Sequence, residues 1–187
     1  MPLPPLQRYH HDLHQHGFVA DAAQRAAVAK LQNLYDSLLA VQHHPGALLG
    51  RLFGRQGLRR QGLRRPAATR VQGLYLWGGV GRGKTYLMDN FYESLPFATK
   101  MRAHFHRFMR RVHRDMQLHA GHKNPLERVA AGIASETRVL CFDEFFVSDI
   151  TDAMILGTLM EHLFARGVTL VASSTAGGGS ERNCSAR

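Results

Sequence analysis

An α/β fold, with a mostly parallel sheet covered on both faces, is predicted by three features of this 187-residue chain. Strand-like apolar runs alternate with helical patterns of about 10–15 residues, the signature of parallel strands joined by crossover helices. A glycine-rich turn from Gly78 to Thr85 joins one such strand to one such helix. A wholly apolar run, Val139 to Phe142, ends in two adjacent acids, Asp143 and Glu144. A sheet with helices on both sides makes three layers.

The elements follow in order. Residues 1–20 are rich in proline and histidine and are expected to form an irregular leader. Asp21 and Gln24 stand at capping-box spacing. Behind them Val28, Leu31, Tyr35 and Leu38 step by three or four, so residues 21–44 should hold a helix from about Ala22 to Gln42, ended by Pro45 and Gly46. Residues 45–70 form a link rich in arginine and glycine. Residues 71–174 carry the alternation itself. Val71 to Trp77 is a strand candidate, and Thr85 to Leu95 a helix stopped by Pro96. Met101 to Phe105 reads as a second strand and Phe108 to Leu118 as a second helix. Asn124, Pro125 and Glu127 supply a cap, a first-turn proline and an early acid for a helix ending near Glu136. Val139 to Phe142 is a buried strand, Ile150 to Phe164 a helix with Gly167 just past its end, and Val168 to Ser173 a strand. Residues 175–187, TAGGGSERNCSAR, have no periodicity and are expected to be a disordered tail. The sheet is then left with about four strands.

Composition narrows the class. With 44% hydrophobic and 20% charged residues the chain is globular rather than disordered. No run approaches the roughly 18 uncharged apolar residues of a membrane span, and the N-terminus has no apolar signal core. The two cysteines, Cys141 and Cys184, do not suggest a disulfide scaffold, and Cys141 sits in a strand where it should be a buried thiol. These features favour a cytoplasmic protein. The net charge of +10 is local in origin: no acid lies between Asp36 and Asp89, and Arg51–Arg70 holds seven arginines with the unit QGLRR in tandem. Such a segment could meet nucleic acid or an anionic membrane surface, or be a solvated basic loop.

Gly78, Gly79, Val80, Gly81, Arg82, Gly83, Lys84 and Thr85 fit the pattern G-x-x-x-x-G-K-[ST]. Glycines let the backbone curl so that successive N–H groups face phosphate oxygens. The following helix aims its N-terminal dipole at the same charge. Lys84 would reach the β- and γ-phosphates, and the Thr85 hydroxyl would ligate Mg²⁺. The alternative is a glycine turn on another fold, and the strand before and helix after argue against it. Asp143 should emerge at the carboxyl end of its strand, where open sheets bind ligands, and can serve the metal. Glu144 can take a proton from an attacking water. A small-molecule kinase would not need that base, so the adjacent acid leans toward hydrolysis. Taken alone, the pair could be an ordinary strand end. Ser173, Ser174 and Thr175 end the next strand, where hydroxyls could contact the γ-phosphate or simply face solvent. Twelve histidines invite a metal site, but His10, His11, His14 and His16, like His104 and His106, lack a tetrahedral complement at familiar spacing. His104 and His106 are expected to alternate on one strand.

The stretches GLYLWGGVGRGKTYLMDNFYESLP, HFHRFMRRVH, NPLERVA, LCFDEFFVSDITDAMILGTLM and LFARGVTLVASS closely resemble the ZapE family of bacterial cell-division ATPases and its mitochondrial Afg-type relatives. The resemblance runs from about Asp21 to Ser174. It implies an AAA+-like P-loop NTPase domain, hydrolysis of ATP with Mg²⁺, and frequent assembly into homo-oligomeric rings. It implies phosphate and metal roles for Lys84 and Thr85, a metal role for Asp143, and a catalytic base in Glu144. It also implies links to the division protein FtsZ and to the cytoplasmic side of the inner membrane. Two departures stand out. The family usually places asparagine at the γ-phosphate sensor position, where this chain has Thr175. The family also continues into an arginine-finger region and a second half, whereas TAGGGSERNCSAR matches neither. The domain is therefore expected to be truncated, with turnover impaired more than binding. Two other readings stand beside this one. One is a nucleic-acid-associated ATPase or helicase loader, drawn from Arg51–Arg70. The other is a non-catalytic truncated fragment.

Overall fold

The computed structural model describes residues 2–16, 21–42, 70–147, 149–175 and 185–186. All but the last residue of the arginine-rich segment 51–70 therefore lie outside the described residues, as does most of the tail.

The chain order is α1 (Pro5–His16), α2 (Ala22–Gln42), β1 (Leu74–Gly78), α3 (Lys84–Ser94), β2 (Lys100–His104), α4 (Phe105–Leu118), α5 (Pro125–Glu136), β3 (Val139–Asp143), α6 (Ile150–Ala165), β4 (Thr169–Thr175) and β5 (Ser185–Ala186). The sheet order is β2-β3-β4-β1-β5. The first four strands are parallel. β5 runs antiparallel, pairing residues 186 and 185 with Leu76 and Trp77.

Alternation along β3 divides the core in two. Val139 and Cys141 face a cluster with Leu31, Leu38, Leu76, Leu87 and Phe91, which come from α2, β1 and α3. Leu140 and Phe142 face the opposite cluster, with Phe108, Val112, Ile133, Leu159 and Leu163 from α4, α5 and α6. These four residues of β3 are fully buried, as a strand covered on both faces requires. The expected three layers are present. Burial pushes the Cys141 thiol up to about 12. Among the described residues, no helix is long and apolar enough to cross a membrane.

Several expectations need correction. The leader is not irregular, because Pro5–His16 is helical. Proline at a helix start forfeits no intrahelical bond. Tyr9 and Leu13, four apart, pack into the first core, and the Tyr86 hydroxyl donates to Asp12 Oδ2 at 2.8 Å. α1 and α2 thus share one core with the sheet and are not units apart from residues 71–174. The tail is not wholly disordered, since β4 extends to Thr175 and residues 185–186 add the fifth strand. His104 ends β2 while His106 lies in the first turn of α4, so they do not alternate on one strand; their rings stack at 5.9 Å. Asn124 makes no side-chain cap bond. Its amide instead donates to Glu127 Oε2 at 3.3 Å.

Candidate nucleotide site

The glycine turn lies between the end of β1 and the start of α3. Gly81 and Gly83 have φ of 79° and 75°, the left-handed region that only glycine enters cheaply. Gly83 is the N-cap of α3 and its carbonyl accepts from Leu87 N–H at 2.9 Å. No side chain caps this end. The first-turn N–H groups thus have no partner within the helix and suit an anion. Lys84 Nζ donates to the carbonyls of Gly78 and Gly79 at 2.9 and 2.8 Å. Its side chain folds back over the turn, and the residue is buried.

The turn is propped from outside. Gln24 Nε2 donates to the Arg82 carbonyl at 3.2 Å, and Arg82 pairs with Asp21 at 3.4 Å. Half of the expected capping box forms, with Asp21 Oδ1 accepting from Ala23 N–H at 3.0 Å. Gln24, the other half, has been recruited to the glycine turn. A Cβ on Gly83 would come within 2.8 Å of its amide nitrogen.

Across the cleft, β3 delivers Asp143. Arg102 of β2 grips it with a fork, Nε to Oδ2 at 2.7 Å and Nη2 to Oδ1 at 3.3 Å. The same guanidinium pairs with Asp89, four residues beyond Thr85 on α3. Burial alone would lower the Arg102 pKa; the two carboxylates outweigh it and hold the pKa above its ordinary value. Neither Asp89 nor Arg102 belongs to a motif that marks it in the sequence. The available signal was a charged residue inside a strand of a covered sheet, which must find a partner.

Glu144 has φ 54°, the one positive value outside glycine among the described residues. Such a conformation costs about 1–2 kcal/mol for an L-residue. Contacts of the next residue hold it in place. Phe145 N–H donates to the Ser173 carbonyl at 2.7 Å, and the Phe145 ring packs on Phe105 at 4.9 Å and edge-on to Tyr75 at 6.3 Å. The strained residue is thereby turned into the cleft. Strain of this kind gathers at functional sites. Thr175 ends β4 beside Gly78 in register, and Ser173 and Ser174 before it are buried.

Gly81, Gly83, Lys84, Thr85, Asp143, Glu144 and Thr175 all line one cleft of about 1070 Å³, with Asp89, Arg102 and His104. The motif and the acidic pair thus meet, although they are far apart in sequence. The donor set fits a triphosphate with Mg²⁺: free amides and an ammonium on one side, a hydroxyl and a carboxylate near them. Mg²⁺ takes one or two protein oxygens plus phosphate oxygens rather than an all-protein cage.

The family model for AFG1-like ATPases matches residues 3–177. The cell division protein ZapE of Escherichia coli K12 is 50% identical over 176 residues, covering 91% of this chain and 45% of that protein. An uncharacterized protein of Schizosaccharomyces pombe is 34% identical over 192 residues, covering 91% of this chain and 42% of its own length. The chain therefore spans under half the length of these relatives. Among solved structures, AMPPCP-bound DnaA from Aquifex aeolicus superposes with a TM-score of 0.51 at 13% identity, over 85% of this chain and 40% of that one. That likeness concerns the fold alone.

Proposed function

Since the chain belongs to the AFG1-like ATPase family, we propose that its cleft binds ATP with Mg²⁺ and hydrolyses the terminal phosphoanhydride. The observation that carries this reading is the convergence of Lys84, Thr85, Asp143 and Glu144 on one cleft beside a glycine turn. The turn's amides and the α3 N-terminus take the phosphates. Lys84 exchanges two loop carbonyls for phosphate oxygens, so its ammonium is kept at the site by contacts that ATP can replace. Thr85 and Asp143 would hold Mg²⁺, which neutralises charge on the phosphate oxygens. Asp143 would offer Mg²⁺ the same carboxylate that Arg102 grips, so the metal and the guanidinium would compete for it. Glu144, turned into the cleft, takes the proton of the attacking water. Thr175 contributes a hydroxyl at the γ-phosphate end.

Work on a protein partner in cell division is supported by the name of the Escherichia coli relative, and FtsZ is the partner to try first. Homo-oligomeric assembly, a cytoplasmic location and contact with the inner membrane are further parts of this proposal. The test is ATP binding and hydrolysis by purified protein. Lys84→Ala should lose nucleotide binding. Glu144→Gln should keep it and lose hydrolysis by roughly 10²–10⁴-fold, the contribution of a positioned base. Normal hydrolysis by the Gln variant would remove Glu144 from its role.

A further inference from the structure

The geometry points to a second binding surface, for single-stranded nucleic acid, on α4 and the segment after Glu144. α4 is sharply two-sided. Phe105, Phe108, Met109 and Val112 are buried in the core. The opposite side exposes Arg107, Arg110 and Arg114. These stand at i, i+3 and i+7, within one face and about 10 Å of helix length. Arg114 meets Asp115 at 3.4 Å. Arg107 and Arg110 have no hydrogen bond or ion pair among the described residues, which leave their charge uncompensated.

An aromatic ring stands beside Arg110. Phe146 is 72% exposed, and it borders a hollow of about 530 Å³ together with His106, Arg110 and His113. Among the described residues that line it, Asp152 is the one carboxylate, and its Oδ1 lies 2.7 Å from His113 Nε2. Arginines along a surface with an exposed aromatic at its rim form the combination that tracks a phosphate backbone and stacks an unpaired base. A duplex would leave the ring without a face to stack on. A lipid surface is disfavoured because an interfacial helix inserts an apolar face, and that of α4 is consumed by the core. The surface uses different residues from the arginine-rich segment 51–70. Phe146 lies two positions after Glu144, so an occupant would sit next to the residue assigned as water base. Binding itself does not depend on the ATPase reading.

The experiment is fluorescence anisotropy of labelled oligo-dT and oligo-U against the full chain over a range of salt. Three variants are compared: Arg107→Ala/Arg110→Ala, Phe146→Ala and Lys84→Ala. The double variant should bind more weakly, with the slope of log affinity against log salt shallower by about 1.4, two contacts at roughly 0.7 each for single strands. Phe146→Ala should lose about 5- to 150-fold, one stacked base, with the slope unchanged. Lys84→Ala should bind the oligonucleotides like the parent, which keeps failure of the ATP site distinct from failure of this one. If either the arginine pair or Phe146 can be removed without loss of binding, the surface is not what we infer, even where the basic link binds by itself. Loss by the arginine variant toward anionic vesicles but not toward oligonucleotides would overturn it in favour of a membrane. All three variants leave the buried apolar faces of α4 and α6 untouched, and thermal melts confirm the fold before binding is read.

Discussion

Replacing Arg102 by alanine tests the cleft at its most heavily charged point. The side chain is 21% exposed and sits between Asp143, 14% exposed, and Asp89, 46% exposed. Removing one partner from a buried pair costs about 3–5 kcal/mol, because the other charge stays behind unpaired. Asp143 is not fully buried, which trims its share to about 2–3 kcal/mol. Asp89 is nearly half exposed and falls within the surface range of about 0–1 kcal/mol. The expected loss is about 2–4 kcal/mol. At about 2–4 °C per kcal/mol for a chain of this size, Tm should fall by roughly 4–16 °C. The variant also frees both oxygens of Asp143 for a metal. Millimolar Mg²⁺ should therefore raise the Tm of Arg102→Ala more than that of the parent, by mass action on the folded state. Arg102→Lys keeps the charge but loses the fork and should fall between the two. The assay is a thermal melt with and without Mg²⁺. An unchanged Tm, or equal Mg²⁺ increments in parent and variant, would refute the competition between guanidinium and metal.

Three further outcomes rest on the packing. A Cβ at Gly73 would lie 1.9 Å from the Leu170 carbonyl oxygen of neighbouring β4; Gly73→Ala should cost at least about 1–3 kcal/mol, as overpacking does, read as a lower urea midpoint at unchanged slope. Tyr9 is 1% exposed and its hydroxyl has no hydrogen-bond partner among the described residues, so Tyr9→Phe should hold or raise stability by about 1 kcal/mol, and a loss larger than that in the same melt would mean the hydroxyl is satisfied. Burial raises both Cys141 and Tyr86 to about 12, which favours their protonated forms in the folded state. Stability from these groups is thus full below the ordinary thiol value of 9.0 and declines as pH rises toward about 12. In a Cys184→Ser background, Cys141 should also resist a thiol reagent at neutral pH until denaturant is added, and rapid modification of the native protein would contradict its burial.

Local pattern made much of this molecule readable. α2 follows the three-four steps of Val28, Leu31, Tyr35 and Leu38 from its first residue to its last. The strand, turn and helix around Lys84 also arise from neighbours in sequence. The features that escaped are those fixed by contacts across the fold. α1 shows few apolar residues, because four of its twelve positions are histidines; Tyr9 and Leu13 become informative only once a core exists to receive them. Arg102 and Asp143 are 41 positions apart, and no periodicity links them. The left-handed turn at Glu144 depends on Phe145 finding Phe105 and the Ser173 carbonyl. A two-residue strand such as β5 has no period to detect. Gln24 carried a genuine helix-start signal and was then diverted to the turn at Arg82.

The division of the interior by β3 has a mechanical consequence. The helix that follows the glycine turn is seated in one apolar slab, and the aromatic anchor that sets Glu144 is seated in the other. Load applied to the outer face of α4 should thus reach the Glu144 side of the cleft first, because α4 and Phe145 pack in the same slab. The glycine-turn side is tied to it through the sheet, through the Tyr75–Phe145 contact and through the guanidinium that joins β2 to α3. On the proposed ATPase reading, a tug on that flank would disturb the placement of Glu144 before it disturbs the seat of the nucleotide.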